Sequence, residues 1–386
     1  MWKWAQGAVA AVTGSVEPEY GAEAFQSVDS TVKDRNPYTP LDRQSYAWRQ
    51  PPQSHVETQT FYFQDTDFYG FVQLIHSNPV NLMFTSQFTF LLCKQSDPDF
   101  HVWGSHRLEN GEITDSGINF KADRFCIELN DDCTEYHFSG FCSNDIQVDL
   151  RFRCVGGGFK IGEDGLSRYG TDLENPWGIM RHIFWPRCSV AGTILVSSHN
   201  LIVECTHDKT LGLFVMAIQG MKPHHAASRW NFLNFQSKTL SVAVMGFTTP
   251  VSYGRGTSTV GGCVKDGKLL MTAVDVKVEH LESIKDEIDN VNWPVPSKIR
   301  VTLIGPKIDD DDTIVKVEVE GKVVTRFGRV DVMAELPNFV KRVASGLSGA
   351  NPFIYQFHDE LEATVTINDE VHKEMGAAFF EATFIS

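Results

Sequence analysis

The stretches TQTFYF at residues 58–63 and FYGFVQLIH at residues 68–76 decide the fold class of this chain. Both are short and rich in aromatic and β-branched residues, and the second is followed by the turn sequence Ser77-Asn78-Pro79. Short runs of this kind that end in turn residues are typical of antiparallel β-strands. Other turn signals follow along the chain, among them Asp97-Pro98 and Asn110-Gly111, so strand, turn, strand is the predicted repeating unit.

The same pattern continues to the end of the chain. Further predicted strands are 81–93, 120–129, 136–142, 146–155, 193–205, 211–218, 239–248, 269–279, 299–304, 314–319, 322–332, 361–367 and 374–385. Strands in such a regular series, without alternating helices, favour a sandwich or barrel over a doubly wound sheet. We therefore predict an all-β fold of two antiparallel β-barrels with about eight to ten strands each. A helix is expected at Glu279 to Val291 and a short turn at Pro223 to Ser228.

The length of 386 residues suits two domains of roughly 150 to 200 residues. The best boundary lies near residues 206–222, where the first strand series ends. We divide the chain into an N-terminal helix at 1–18, a linker or strap at 19–54, a first domain at 55–218 and a second domain at 219–386. The strap is predicted from its Asn36-Pro37, Thr39-Pro40 and Pro51-Pro52 pairs.

The composition excludes several classes of function. A net charge of −15 disfavours nucleic-acid binding, because phosphates would be repelled. No apolar run is long enough to span a membrane, and the N-terminus does not read as a signal peptide. The eight cysteines contain no C-x-x-C pair, so we expect free thiols, no metal site and a cytoplasmic protein.

The first residues form one apolar helical face. Placed on a helix, this face lies opposite Lys3, Gln6, Gly7 and Thr13. Two tryptophans in the first turn suit a bilayer interface. We predict a membrane-docking helix with contacts from Met1, Trp2, Trp4, Ala5, Val9 and Val12. The alternative is that this helix docks on the protein's own surface.

Three candidate motifs for cofactor or metal binding lack the spacing that this chemistry requires. Gly156-Gly157-Gly158 with Gly162 lacks the third glycine of a dinucleotide loop and reads as a tight hairpin. Asp309 to Asp312 lacks the alternating ligands of an EF-hand. His224-His225 would point to opposite faces of a strand. No catalytic residue, metal or cofactor is therefore predicted.

Two clusters combine aromatic rings with basic side chains, at residues 175–188 and 222–232. An apolar pocket with a few orienting polar groups has this composition. We predict ligand contacts from Trp177, Arg181, His182, Trp185, His224, His225, Arg229 and Trp230. The alternative is a plug of Trp, Arg and Pro at the domain interface, and the two readings remain open.

At these residues the chain resembles the fungal survival-factor family. The resemblance rests on MWKWAQG at residues 1–7, AVTG at 11–14, EPEYG at 17–21, RHIFWPR at 181–187 and KPHHAASRWN at 222–231, and it extends over nearly the whole chain. It implies two tandem lipocalin-like barrels with an N-terminal amphipathic helix, distantly similar to carotenoid hydratases. It also implies non-vesicular ceramide movement from endoplasmic reticulum to Golgi, sphingolipid metabolism and survival of oxidative stress.

The resulting hypothesis is a carrier of ceramide or a related neutral lipid. We expect a monomer in the cytoplasm, peripheral on Golgi and endoplasmic reticulum membranes, with a further pool in the nucleus. The rival is a hydratase or isomerase that acts on a long apolar substrate, with His182 or His224 and a carboxylate such as Asp172 as proton donor. A third alternative is a redox-linked scaffold that uses exposed thiols.

Overall fold

The computed structural model describes residues 19–33, 35–78, 84–332 and 352–386. The predicted N-terminal helix, with its docking residues Met1, Trp2, Trp4, Ala5, Val9 and Val12, lies outside the described residues. Two antiparallel sheets make up the described part, and the prediction of an all-β fold with two curled antiparallel sheets is confirmed.

The first sheet contains sixteen strands. They are β1 (Phe25–Gln26), β2 (Tyr38–Pro40), β3 (His55–Gln64), β4 (Phe68–Asn78), β5 (Thr85–Lys94), β6 (Asp97–Leu108), β7 (Glu112–Thr114), β8 (Asn119–Ala122), β9 (Phe125–Leu129), β10 (Glu135–Phe141), β11 (Ile146–Cys154), β12 (Phe159–Ile161), β13 (Leu166–Tyr169), β14 (Gly178–Val196), β15 (Leu201–Cys205) and β16 (Leu211–Gln219).

The second sheet contains ten strands. They are β17 (Arg229–Gln236), β18 (Leu240–Thr248), β19 (Thr257–Lys265), β20 (Lys268–Ala273), β21 (Asp275–Lys285), β22 (Pro294–Lys307), β23 (Asp310–Lys322), β24 (Arg326–Asp331), β25 (Phe353–Ile367) and β26 (Glu370–Phe384). One α-helical turn, α1, spans Pro223–Ala226. Short 3-10 helices lie at Ala22–Ala24, Asp29–Val32, Arg43–Tyr46, Ser197–His199, Val251–Tyr253 and Ile288–Asn290.

Side-chain alternation explains why these segments form half-buried strands. In β11, Ile146 and the alternate residues Val148, Leu150 and Phe152 are buried, whereas the residues between them are exposed. A period of two places one set of side chains in the core and the other in solvent. The strand therefore forms one wall of the first barrel.

The first sheet curls until its distant strands meet. Its main path runs β6-β5-β4-β3-β16-β14-β11-β10-β9-β8-β7. Phe88 of β5 nevertheless contacts Phe125 of β9 and Phe138 of β10, with ring centroids 5.2 and 5.1 Å apart. The interior between these strands is packed with buried aromatic and aliphatic side chains, as expected of a small barrel.

The second sheet returns on itself. Its path runs β22-β23-β25-β26-β17-β18-β19-β20, and β20 pairs with β22 through Met271 and Lys307. Valines and leucines of these strands fill its interior. Strand β21 lies outside this path and pairs with β22.

The predicted helix at Glu279 to Val291 is wrong. Residues up to Lys285 belong to strand β21, and only Ile288–Asn290 form a 3-10 turn. Val276, Val278 and His280 are partly buried while Lys277 and Glu279 are exposed. This period of two, together with pairing to β22, outweighs the helix propensity of the charged residues.

The segment 19–54 lies along the first sheet. Its strand β1 pairs with β13, and β2 pairs with β12. At its end, the backbone N–H of Trp48 donates to Gly117 O at 2.8 Å. The domain limits drawn above remain predictions.

Candidate functional site

The central strand β14 presents different side chains to two compartments. Arg181 and Trp185 point into the first barrel, where Trp185 Nε1 donates to the Tyr46 hydroxyl at 3.0 Å and Arg181 Nη1 donates to Ser45 O at 2.9 Å. Met180 and His182 point the other way and line a cavity against the second sheet. Adjacent residues of a strand face opposite sides, so the RHIFWPR motif serves both compartments.

The cavity lies between the two sheets. It has a volume of about 270 Å³, part of it open to solvent, and its enclosed space accommodates about one water molecule. Both sheets and the strap contribute to its lining, which consists of Val28, Ile161, Gly165, Ser167, Met180, His182, Met245, Phe247, Ser258 and Val260. The walls are mostly apolar, with two hydroxyls and one imidazole.

His182 is the distinctive polar group of this cavity. Its side chain is buried, and among the described residues its Nε2 has no hydrogen-bond partner. Burial, assisted by the neighbouring Arg181 charge, lowers the pKa of His182 to about 4. The ring is therefore neutral near pH 7 and offers one hydrogen bond to an uncharged ligand.

An aromatic cluster adjoins the cavity through Met180 and Phe247. Its centre is Tyr253, whose ring centroid lies 6.1 Å from that of Trp177. The His225 ring lies 5.8 Å from Trp177 and 6.1 Å from Tyr20. This cluster lies where the described chain begins, directly after the predicted docking helix.

The structure brings together some of the predicted ligand residues and separates others. Trp177, His225 and Trp230 belong to or pack on the aromatic cluster, and His224 lies beside His225 on α1. His182 lines the adjoining cavity. Arg181 and Trp185 lie behind it in the first barrel, and Arg229 is exposed with its guanidinium 5.6 Å from the Phe384 ring.

Several cavity residues escaped the sequence reasoning. Met245 and Phe247 of β18 are examples, although a signal for them exists. The segment LSVAVMGF at residues 240–247 is apolar on both faces rather than alternating, which is typical of a strand buried on both sides. Val28 carries no such signal, because only the path of the strap places it there.

The carboxylate of the rival enzyme hypothesis lies elsewhere. Asp172 is exposed and accepts hydrogen bonds from Glu174 N and Asn175 N. The side-chain amide of Asn175, which donates to Asp172 Oδ2 at 3.2 Å, lowers the pKa of Asp172 most, and the two backbone bonds lower it further, so Asp172 stays ionised at neutral pH. Among the described residues that line the cavity with His182 there is no carboxylate.

None of the eight cysteines is exposed. All eight cysteines are free. Burial raises the pKa to about 12 for Cys93, Cys126, Cys142, Cys154, Cys205 and Cys263, so these remain unreactive thiols at neutral pH. In the described part of the chain, no group of three or more His, Cys, Asp or Glu could hold a metal ion. No described helix has the length and apolarity that crossing a membrane requires.

The fold and the cavity define a class of protein, two lipocalin-like sheets with an apolar space between them. Solved structures share this architecture. The structure of CghA superposes with a TM-score of 0.61 at 11% identity, covering 94% of this chain and 98% of that one. Kievitone hydratase from Nectria haematococca gives 0.55 at 9% identity, covering 94% and 98%. At such low identity these likenesses show the fold alone.

Within that class the chain belongs to the Svf1 family, whose model matches residues 2–386. The predicted family resemblance is confirmed. The ceramide-binding protein SVF1 of Yarrowia lipolytica is 47% identical, with 100% of both chains covered. The ceramide-binding proteins SVF1 of Candida albicans and Kluyveromyces lactis are 42% and 41% identical, covering 100% of this chain and 100% and 97% of theirs.

Proposed function

We propose that this chain is a lipid carrier that holds one ceramide or related neutral lipid between its two sheets. The observation that carries the proposal is the mostly apolar cavity in which His182 is buried, neutral and without a described partner. The names of the relatives, ceramide-binding proteins, supply the class of ligand.

The chemistry of the cavity suits an uncharged lipid. A ceramide has an amide and hydroxyls that can bond to His182 Nε2 and to the hydroxyls of Ser167 and Ser258, while its chains need only apolar walls. A neutral lipid is also not repelled by a protein of net charge −15.

The lipid requires more room than the closed cavity provides. Ligand pockets usually measure roughly 300–1,000 Å³, and a lipid with two long chains belongs at the upper end. We infer that the two sheets separate along the cavity when a lipid enters. That movement would break the ring-to-ring contacts that Tyr62 of the first sheet makes with Phe232 and Phe379 of the second, at 5.1 and 4.9 Å.

The N-terminal helix is proposed as the membrane contact. Its two tryptophans and apolar face suit reversible docking, and the described chain starts at the aromatic cluster beside the cavity. Docking there would present the cavity to the bilayer. We propose that the chain is a cytoplasmic protein that binds reversibly to Golgi and endoplasmic reticulum membranes. It would move ceramide between these membranes and thereby support survival of oxidative stress.

Ceramide transfer between vesicles tests the carrier. Purified chain is mixed with phosphatidylcholine donor vesicles that carry a fluorescent ceramide and with unlabelled acceptors. Met245→Trp fills the cavity and should reduce transfer at least tenfold. Met375→Trp adds the same ring at a position that is 55% exposed and should leave transfer unchanged. Equal transfer by both variants would refute binding at the cavity.

Vesicle flotation tests the docking helix. Trp2→Asp with Trp4→Asp places two charges on the apolar face and should abolish binding to phosphatidylcholine vesicles. Gln6→Asp with Thr13→Asp adds the same charge on the opposite face and should weaken binding much less. If both double variants float like the unmodified chain, the helix is not the membrane contact.

A further inference from the structure

A second set of buried polar groups lies inside the first barrel, behind β14. Strand register places Arg181 opposite Ile218, Ile218 opposite Glu57, Glu57 opposite His76, and His76 opposite Ser86. These residues form one level around the barrel, which we call the polar tier. The tier also includes His55 and Gln59, which flank Glu57 on the same face of β3, and Trp48 of the strap, whose ring lies 5.8 Å from that of His76.

The tier is almost completely withdrawn from solvent, yet its hydrogen bonds are incomplete. Trp48, His55, Gln59, His76 and Arg181 are all at most 7% exposed. Counting the described residues only, one polar atom of each has no partner: Trp48 Nε1, His55 Nε2, Gln59 Oε1, His76 Nε2 and Arg181 Nη2. A buried polar group without a partner lowers stability, so five of them within one tier indicate that another molecule satisfies them.

The free atoms supply both donors and acceptors. Trp48 Nε1 and Arg181 Nη2 can only donate, and Gln59 Oε1 can only accept. His55 Nδ1 lies 2.8 Å from Gln53 O, which is an acceptor, so the neutral ring carries its proton on Nδ1 and leaves Nε2 to accept. A hydroxyl group both donates and accepts, and thus matches this mixture.

The tier holds one carboxyl group, Glu57, and one guanidinium, Arg181, whose opposite charges attract each other. Glu57 accepts hydrogen bonds from Arg49 N and Gln50 N, and Arg181 donates to Ser45 O and Asp164 O. Burial lowers the pKa of His76 to about 4, which leaves its ring neutral. A charged ligand would lose its hydration in the tier and find no further counter-charge there, whereas an uncharged ligand requires none.

Aromatic rings border the same polar groups. His76 is stacked on Phe84 with centroids 5.3 Å apart, and it lies 6.1 Å from Phe120. Phe84 is 48% exposed and marks the solvent edge of the tier. Ring faces beside hydroxyl-matching groups suit a compact molecule with C–H and O–H groups.

We propose that the polar tier is a second binding site, which takes an uncharged group bearing several hydroxyls. That chemistry belongs to a free polyol or to the headgroup of a neutral lipid. Because Arg181 faces the tier and His182 faces the cavity, β14 separates the two sites. The tier is thus independent of the proposed ceramide cavity.

Fluorine NMR of the full chain tests the proposal. Tryptophan is replaced by 5-fluorotryptophan, and Trp48→Phe assigns the Trp48 resonance. The protein is titrated with myo-inositol, which has hydroxyls and no chains, and separately with dispersed N-acetylsphingosine. A saturable shift with myo-inositol identifies a free polyol as the ligand, and a shift with N-acetylsphingosine alone identifies a lipid headgroup.

Variants distinguish ligand binding at the tier from a purely structural role of its residues and from binding in the cavity between the sheets. Gln59→Leu should weaken binding at least tenfold, because it removes an acceptor of the tier. It also removes the long hydrogen bond from Gln59 Nε2 to the Tyr136 hydroxyl, 3.5 Å away, so a small decrease in Tm is expected beside the loss of binding. Gln73→Leu, on the opposite face of the same sheet, should keep the ligand response. Met245→Trp should also keep it, even if ceramide transfer is lost.

Three outcomes would overturn the proposal. If neither probe shifts the Trp48 resonance, ordered water fills the tier. If Gln59→Leu lowers Tm and retains binding, the amide is structural. If Met245→Trp abolishes the response, the ligand occupies the cavity between the sheets instead.

Discussion

Trp185 lies in the RHIFWPR motif and packs into the first barrel, on the face of β14 that points away from the cavity. Its ring is completely buried among Tyr46, Tyr136 and Phe214, and its indole N–H bonds to the Tyr46 hydroxyl. Sequence composition left both a ligand pocket and an interface plug open, because tryptophan beside arginine is typical of both. Only the face of β14 on which Trp185 lies distinguishes the two.

Trp185→Phe should therefore destabilise the protein without impairing ceramide transfer. The variant leaves the Tyr46 hydroxyl buried without its partner and creates a small void, at a combined cost of about 2–4 kcal/mol. Urea denaturation measures this loss. Tyr46→Phe removes the other half of the hydrogen bond and is the matched control. A transfer defect in Trp185→Phe at a temperature where it is fully folded would return Trp185 to the ligand site.

At the scale of elements, Arg187 connects the end of the RHIFWPR motif to the second sheet. Its guanidinium donates to Ser237 O, Leu240 O and Lys238 O, and to Ser241 Oγ, in the turn between β17 and β18. The side chain of Gln236 returns a bond to Pro186 O at 2.8 Å. The register shift between Trp185 and Cys188 places Arg187 toward this turn.

Arg187→Ala should loosen the junction of the two sheets. Four hydrogen bonds from a charged donor are lost, so we expect a decrease of about 2–4 kcal/mol in the free energy of unfolding. Amide hydrogen exchange should accelerate at residues 237–241. Arg151→Ala removes an exposed ion pair with Glu135 and should cost at most about 1 kcal/mol. Equal exchange at residues 237–241 in both variants would contradict the proposed role of Arg187 in joining the two sheets.

At the scale of the whole molecule, several histidines of both sheets pack against aromatic rings in their neutral form. Burial lowers the pKa to about 4 for His76, His182, His225, His280 and His358. His358 of the second sheet is stacked on Tyr69 of the first with centroids 3.7 Å apart. An imidazole that must stay neutral in the fold makes stability depend on pH.

The free energy of unfolding should fall as the pH drops from about 6.5 toward 4, because in that range the unfolded chain binds protons that the folded chain excludes. His182 and His358 should each contribute roughly 1–2 kcal/mol of this loss at pH 5. The buried carboxyls Glu57 and Glu381, whose pKa burial raises, act in the opposite direction. The informative measurement is therefore a difference, obtained by urea denaturation of unmodified chain and His182→Leu at pH 7 and pH 5. His182→Leu should lose less stability on acidification, and an identical pH dependence would contradict a neutral buried His182.

Local pattern alone determined the all-β class and many of the strands, although β6 and β19 escaped it. Short sequence motifs, such as RHIFWPR, determined the family. Period-two alternation, as in β11, is a property of neighbouring residues and can be read without coordinates. The prediction of a helix at residues 279–291 was wrong, because the charged residues up to Lys285 pair with β22 and form strand β21 despite their helix propensity. Tertiary structure decided which face of β14 meets each compartment, where the strap places Val28 and Trp48, and that five unsatisfied polar groups share one tier. These features depend on strand register and sheet curvature, which bring together residues far apart in the chain, and no short stretch of sequence encodes them.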